Sequence, residues 1–132
     1  MNSQKAKVLA NTEVQPGFYQ LVLFCPEVAA AASAGQFLMI KPTNEYDPFL
    51  ARPMAIYDYD KTMGTIEILF MVKGRGTQIL AKAKADDILQ VVAPLGKGFQ
   101  IQETDKTVLC VADGVGMAPI YSLIKELHKR GI

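Results

Sequence analysis

Residues 52–77 read RPMAIYDYDKTMGTIEILFMVKGRGT, and the reading of that stretch decides the fold. Pro53 to Tyr59 and Thr65 to Val72 read as two strands. Between them Asp60-Lys61-Thr62-Met63-Gly64 is a hairpin turn, with glycine where a positive φ is needed. The stretch ends on Gly74-Arg75-Gly76-Thr77, after which Thr77 to Ala85 has helix-forming composition.

Working outward, further short strands appear on both sides. Upstream, Lys7 to Val14 is one. Gly17 to Phe24 is a stronger one, because Tyr19, Leu21 and Leu23 alternate with Gln20, Val22 and Phe24. Pro26 ends it, since proline cannot continue a ladder. Ala29 to Ala32 is compatible with helix but too short to stand alone. Gln36 to Lys41 is a strand opened by Gly35 and closed by Pro42, and Thr43 to Pro48 is a polar, proline-bounded surface loop. Downstream, Ile88 to Ala93 is the last of the series. Six short strands with one late helix predict a mainly β fold, a six-stranded antiparallel barrel of Greek-key type. Closure removes the sheet edges that would otherwise pair with other chains.

The pattern changes after Phe99. Thr107 to Ala112 is a continuous apolar run, as in a strand buried on both faces. A glycine loop, Asp113-Gly114-Val115-Gly116, leads to an amphipathic helix from about Ala118. Ile120, Leu123, Ile124 and Leu127 share one face, and Lys125, Glu126, Lys129 and Arg130 the other. Strand, loop and helix are the opening unit of a parallel α/β sheet. The expected division is therefore a barrel over residues 1–101 and an incomplete α/β unit over 102–132.

Composition narrows the function classes. The chain has 132 residues, half of them apolar, with 14 basic and 13 acidic side chains and a formal charge of +1. This is long enough for one real core and too apolar for disorder. The balance of charge gives no support to a nucleic-acid or membrane-surface protein. Cys25 and Cys110 lie far apart with no CxxC pattern, and His128 is the single histidine. No metal or iron–sulfur ligand set is expected, and two buried thiols in a cytoplasmic protein is the plain reading. There is no leader pattern, no membrane span, and no set of residues for hydrolytic catalysis, so no catalytic residue is assigned.

Two runs suggest a ligand. Taken alone, Gly74-Arg75-Gly76-Thr77 describes a strand-to-helix turn with a good cap. Its glycines also let a backbone approach a ligand, and the amide-rich start of a helix suits a pyrophosphate. Arg52, at a strand entrance, carries a guanidinium able to grip a phosphate in bidentate fashion. Pro53 fixes the backbone that follows it. Their co-occurrence points to a phosphate-bearing cofactor. Pro94-Leu95-Gly96-Lys97-Gly98-Phe99 reads as a tight turn with no ligand role. Asp113-Gly114-Val115-Gly116 lacks the third glycine of a dinucleotide fingerprint, and its aspartate opposes a phosphate placed beside it.

In this order the motifs resemble those of the electron-transfer subunits of dihydroorotate dehydrogenase, within the ferredoxin–NADP reductase superfamily. Arg52-Pro53-Met54-Ala55 is similar to the family's Arg-Pro-x-Ser flavin motif, Gly76-Thr77 to its Gly-x-Gly-Thr, and Pro94-Leu95-Gly96 to its Gly-Pro-Leu-Gly turn. The resemblance implies FAD held by Arg52, Pro53, Met54, Ala55, Leu69, Phe70, Met71, Gly76 and Thr77. It implies electron transfer in pyrimidine biosynthesis, between a nicotinamide nucleotide or iron–sulfur centre and an FMN-containing partner subunit. Three departures matter: Ala55 stands for the motif's serine, and Ala93 and Asp113 stand for glycines. Asp113 leaves NAD(H) binding unsupported. The family's cysteine quartet is missing, so the expectation is no iron–sulfur cluster on this chain and only the flavin-binding half of such a subunit. A second reading is a barrel remnant without flavin, a protein-interaction module that also forms homodimers through its unfinished sheet.

Overall fold

The computed structural model describes residues 3–46 and 50–132. Seven strands form one sheet: β1 (Gln4–Gln15), β2 (Phe18–Phe24), β3 (Phe37–Ile40), β4 (Arg52–Ala55), β5 (Asp58–Asp60), β6 (Thr65–Met71) and β7 (Ile88–Leu95). Three helices accompany them among the described residues: α1 (Pro26–Ala31), α2 (Arg75–Leu80) and α3 (Ala118–Lys129), the last preceded by a 3₁₀ turn over Gly114–Met117. The strand order is β4-β3-β7-β1-β2-β6-β5 and every pairing is antiparallel. The fold is mainly β, with few helices.

Period-two patterning explains the sheet. In β6, Ile66, Ile68 and Phe70 are buried, while Thr65, Glu67, Leu69 and Met71 are half-buried on the opposite face. In β7, Leu89, Val91 and Ala93 point inward. The turn between β5 and β6 closes as its sequence suggests. Gly64 takes φ +71° and donates its amide to the Asp60 carbonyl at 2.9 Å, and Asp60 Oδ1 accepts the amides of Thr62 and Met63.

One strand expected over 53–59 is divided. Ile56 N–H donates to the Gln36 carbonyl at 3.1 Å, whereas Tyr57 N–H donates to the Glu67 carbonyl at 2.8 Å. The run therefore changes neighbours at Ile56, and β4 and β5 lie at opposite ends of the strand order. Two helices also differ from expectation. The helix expected over 77–85 begins earlier and is shorter, and Pro26 opens α1, where its missing N–H costs nothing. This helix holds because Val28 and Ala29 are completely buried under the sheet. Of the expected loop 43–48, residues 43–46 are neither helix nor strand, and residues 47–48 lie outside the described residues.

The predicted strand over Thr107 to Ala112 is not formed. Among the described residues no strand runs beside it to take its backbone hydrogen bonds. Apart from half-buried Cys110, its side chains are open to solvent, Leu109 at 87% and Val111 at 80% exposure, not buried on both faces. Beyond it α3 is formed, but rotated from the expected face. Ser122, Leu123 and Leu127 are buried and Ile124 is exposed. Lys125, expected in solvent, reaches Asp58 of β5 with bonds of 2.9 and 2.8 Å. Gly131, with φ +78°, ends the helix: its amide bonds the His128 carbonyl, and the Ile132 amide bonds the Leu127 carbonyl.

Candidate functional site

The Arg-Pro run and the Gly-rich run, apart in sequence, meet in space. Arg52 is the first residue of β4, placed by its pairing with Ile40 of β3. Gly76 lies in the first turn of α2 and is buried. A methyl group built on Gly76 would stand 2.7 Å from Arg52 Cζ and 2.9 Å from Nη2, and closer still to Nε. The guanidinium therefore occupies the space that any side chain at position 76 would need. Its Nη1 donates to the Leu50 carbonyl.

The start of α2 is organised around Thr77. Its hydroxyl oxygen accepts the amides of Lys73 (2.8 Å) and Gly74 (3.1 Å) and donates to the Gly74 carbonyl (3.0 Å). This is half of a capping box, because Gly74 at the cap has no side chain with which to reciprocate. The amides of Gly76 and Thr77 have no hydrogen-bond partner among the described residues. A cation and two donor amides thus share one corner of the molecule, which suits an anion carrying several oxygens.

The remaining expected residues divide by strand face. Pro53 is exposed, and Met54 and Ala55 are half-buried on β4, opposite Met39, Leu38 and Phe37 of β3. β4 and β6 come into contact with each other. On β6, Leu69 and Met71 are half-buried on the outer face. Phe70 departs from this set: it is 2% exposed and stacked on Tyr19 with ring centroids 5.6 Å apart. Its ring belongs to the core, so only its backbone is available to a ligand.

The turn after β7 has a packing role. Gln36 Nε2 donates to the Gly96 carbonyl at 2.9 Å, and the Phe99 amide donates to the Ala34 carbonyl at 2.8 Å. Gly35, at φ +91°, must be glycine here, because a Cβ would fall 2.6 Å from the Phe99 ring. At the other glycine loop, Asp113 is exposed and its carbonyl accepts the Gly116 amide at 3.0 Å. A Cβ built on Gly114 or Gly116 would meet nothing within 4 Å among the described residues, its chain neighbours apart.

Three structural contacts escaped the sequence reading. Asn11 of β1 directs its amide nitrogen at the carbonyls of Leu80, Ala81 and Ala83, at 3.0, 3.3 and 2.9 Å, and so caps the end of α2. A polar Asn in the middle of a strand is the signal that was there to find. Tyr57 stacks on Tyr121 with centroids 4.6 Å apart, and beside them lies the Asp58–Lys125 pair. Burial raises the phenols of Tyr57 and Tyr59, and the hydrogen bond to Asp58 raises the Lys125 ammonium. Cys25 is buried, which pushes its thiol up, while Cys110 is half-buried; both are free. Among the described residues no group of three or more His, Cys, Asp or Glu is placed to hold a metal ion, and no helix is long and apolar enough to cross a membrane.

Solved structures share this architecture. An NADH-dependent reduced ferredoxin–NADP oxidoreductase, studied for flavin-based electron bifurcation, superposes with a TM-score of 0.84 at 27% identity, over 96% of this chain and 45% of its own. Phthalate dioxygenase reductase, described as passing electrons from pyridine nucleotides to [2Fe–2S], follows at 0.79 and 18%, over 99% and 41%. The fold is that of the ferredoxin-reductase-like proteins. No protein-family model matches the sequence. Curated relatives do: the electron transfer subunit of dihydroorotate dehydrogenase B (NAD(+)) of Listeria monocytogenes is 41% identical over 134 aligned residues, 100% of this chain and 52% of the relative. The subunit of the same name from Bacillus mycoides is 34% identical with the same coverage, and that from Desulforamulus reducens 37% identical over 92% and 47%. Along its whole length the chain is homologous to the dihydroorotate dehydrogenase B electron transfer subunits. It spans about half the length of the curated relatives it matches.

Proposed function

We propose that this chain is the FAD-holding part of an electron-transfer flavoprotein. The observation that carries the reading is the seat made by the Arg52 guanidinium against Gly76, beside the amides of Gly76 and Thr77, which have no partner among the described residues. Arg52 and those amides hold the diphosphate of FAD. The backbones of Pro53, Met54 and Ala55, and of Leu69, Phe70 and Met71, line the flavin ring. When bound, the flavin supplies the redox chemistry; the chain supplies binding, orientation and electrostatics. Ala55 offers the ring no hydroxyl, so reactivity differs more than affinity from a serine-bearing relative.

The finer architecture belongs to this proposal. Because the run 52–60 bonds β3 on one side and β6 on the other, the seven-stranded sheet is read as a closed six-stranded Greek-key barrel, with β4 and β5 as two parts of one strand. The barrel domain covers residues 1–101, and residues 102–132 begin a nucleotide-binding unit. The resemblance supplies the partner, an oxidoreductase subunit carrying FMN, and exposed Asp113 argues against an NAD(H) site on this chain alone.

The test is the visible spectrum of the purified protein, followed by FAD titration of the cofactor-free chain. A yellow protein that releases FAD on acid treatment, and whose Arg52→Ala variant binds FAD several-fold more weakly or worse, supports the reading. A colourless protein with no FAD uptake refutes it. One observation favours the second reading, a flavin-free interaction module: the exposure of Leu109 and Val111. Light scattering after size exclusion separates the two, since a strictly monomeric, FAD-binding chain removes that alternative.

A further inference from the structure

A cavity of about 520 Å³ opens between the α1–β3 turn, β5 and α3. Neither Arg52 nor Gly76 lines it, so it is distinct from the proposed diphosphate seat. Its volume falls in the range of small-molecule sites, about 300–1,000 Å³.

Three features of its lining define a ligand. Ser122 is 3% exposed and its Oγ has no hydrogen-bond partner among the described residues. Such a hydroxyl is costly to bury and is satisfied by an acceptor entering the cavity. Around it, two of the four cations are already committed: Lys125 to Asp58, and Arg130 to Glu126 at 2.9 Å. Asp60 Oδ1 is engaged by the amides of its own turn. That leaves the ammonium groups of Lys61 and Lys129 without a carboxylate partner among the described residues, Lys61 lying 5.9 Å from the Tyr59 ring centre. Tyr59 and Phe99 supply aromatic surface to the lining.

We propose that this cavity is a second binding site, for a small ring-bearing anion of the aryl phosphate type. The ring packs on Tyr59 and Phe99, an acceptor atom takes the Ser122 hydroxyl, and the negative group faces Lys61 and Lys129. The proposal does not depend on the flavin reading.

The probe is phenyl phosphate, titrated into the ¹⁵N-labelled 132-residue chain, with inorganic phosphate and phenol as its separate components. Saturable shifts centred on the amides of Tyr59, Ser122 and Lys129 are expected, with phenyl phosphate binding more tightly than either component. Ser122→Ala should weaken binding about fivefold, the worth of one neutral hydrogen bond. Lys61→Gln combined with Lys129→Gln should weaken it further and flatten its salt dependence. Arg52→Ala should leave it unchanged while lowering FAD uptake, which keeps failure of one site distinguishable from failure of the other. Shifts centred on Gly76, competition by FAD for this cavity, the absence of saturation, or undiminished binding by Ser122→Ala would each overturn the proposal.

Discussion

The Arg52 guanidinium lies against Gly76, filling the space above the first turn of α2. Strand β4 and helix α2 are thereby coupled through one side chain and one missing side chain. The first prediction tests that relationship. Gly76 does not hold a positive φ, and alanine is a better helix former by up to ~1 kcal/mol. Gly76→Ala should therefore keep the fold, seen as an unchanged circular dichroism spectrum, while displacing Arg52. FAD affinity should fall at least about tenfold, the scale of one charge-assisted hydrogen bond. Arg52→Lys should recover only part of the affinity lost in Arg52→Ala, because an ammonium cannot bond in bidentate fashion.

Asn11 is expected to matter for stability alone. Replacing it with Ala strips the end of α2 of its three carbonyl contacts, and urea unfolding should show a loss of about 1–3 kcal/mol. Asn11→Asp should cost more, since it turns a carboxylate toward those same carbonyls.

The contact between β5 and α3 should fail in alkali. Lys125 is raised by its bond to Asp58, and Tyr57 and Tyr59 are raised by burial. In each case the folded protein holds a proton more tightly than the unfolded chain. The stabilisation is present in full below the unfolded-state values, about 10, and is lost as the pH rises through the folded-state ones. Thermal melts between about pH 8 and 11 should show a falling Tm at the upper end. Lys125→Met should blunt that fall.

The two thiols should separate kinetically. Cys25 is 4% exposed and its thiol is raised by burial, whereas Cys110 is half-buried. A disulfide reagent should modify Cys110 first and reach Cys25 only as the protein unfolds. In Cys110→Ser the fast phase should vanish.

The sheet was largely legible because alternation writes burial directly into strands such as β6 and β7. The division at Ile56 was not, since adjacent amides choose different neighbouring strands and no local pattern records that choice. The rotation of α3 was likewise hidden. Apolar periodicity placed Ile124 inside, yet Tyr121 stacks on Tyr57 and Lys125 bonds Asp58, and these contacts turn Ser122 inward instead. The run 107–112 reads as a buried strand, but burial requires neighbours that the described residues do not provide. For the candidate site, residue types pointed to Arg52 and Gly76, while their contact arises from long-range strand pairing.

The most direct test of the central claim is a crystal structure of this chain grown with FAD. The account predicts the diphosphate within hydrogen-bonding distance of the Arg52 guanidinium and of the Gly76 and Thr77 amides, with the ring against β4 and β6. A flavin bound elsewhere, or crystals that take up none, would contradict it.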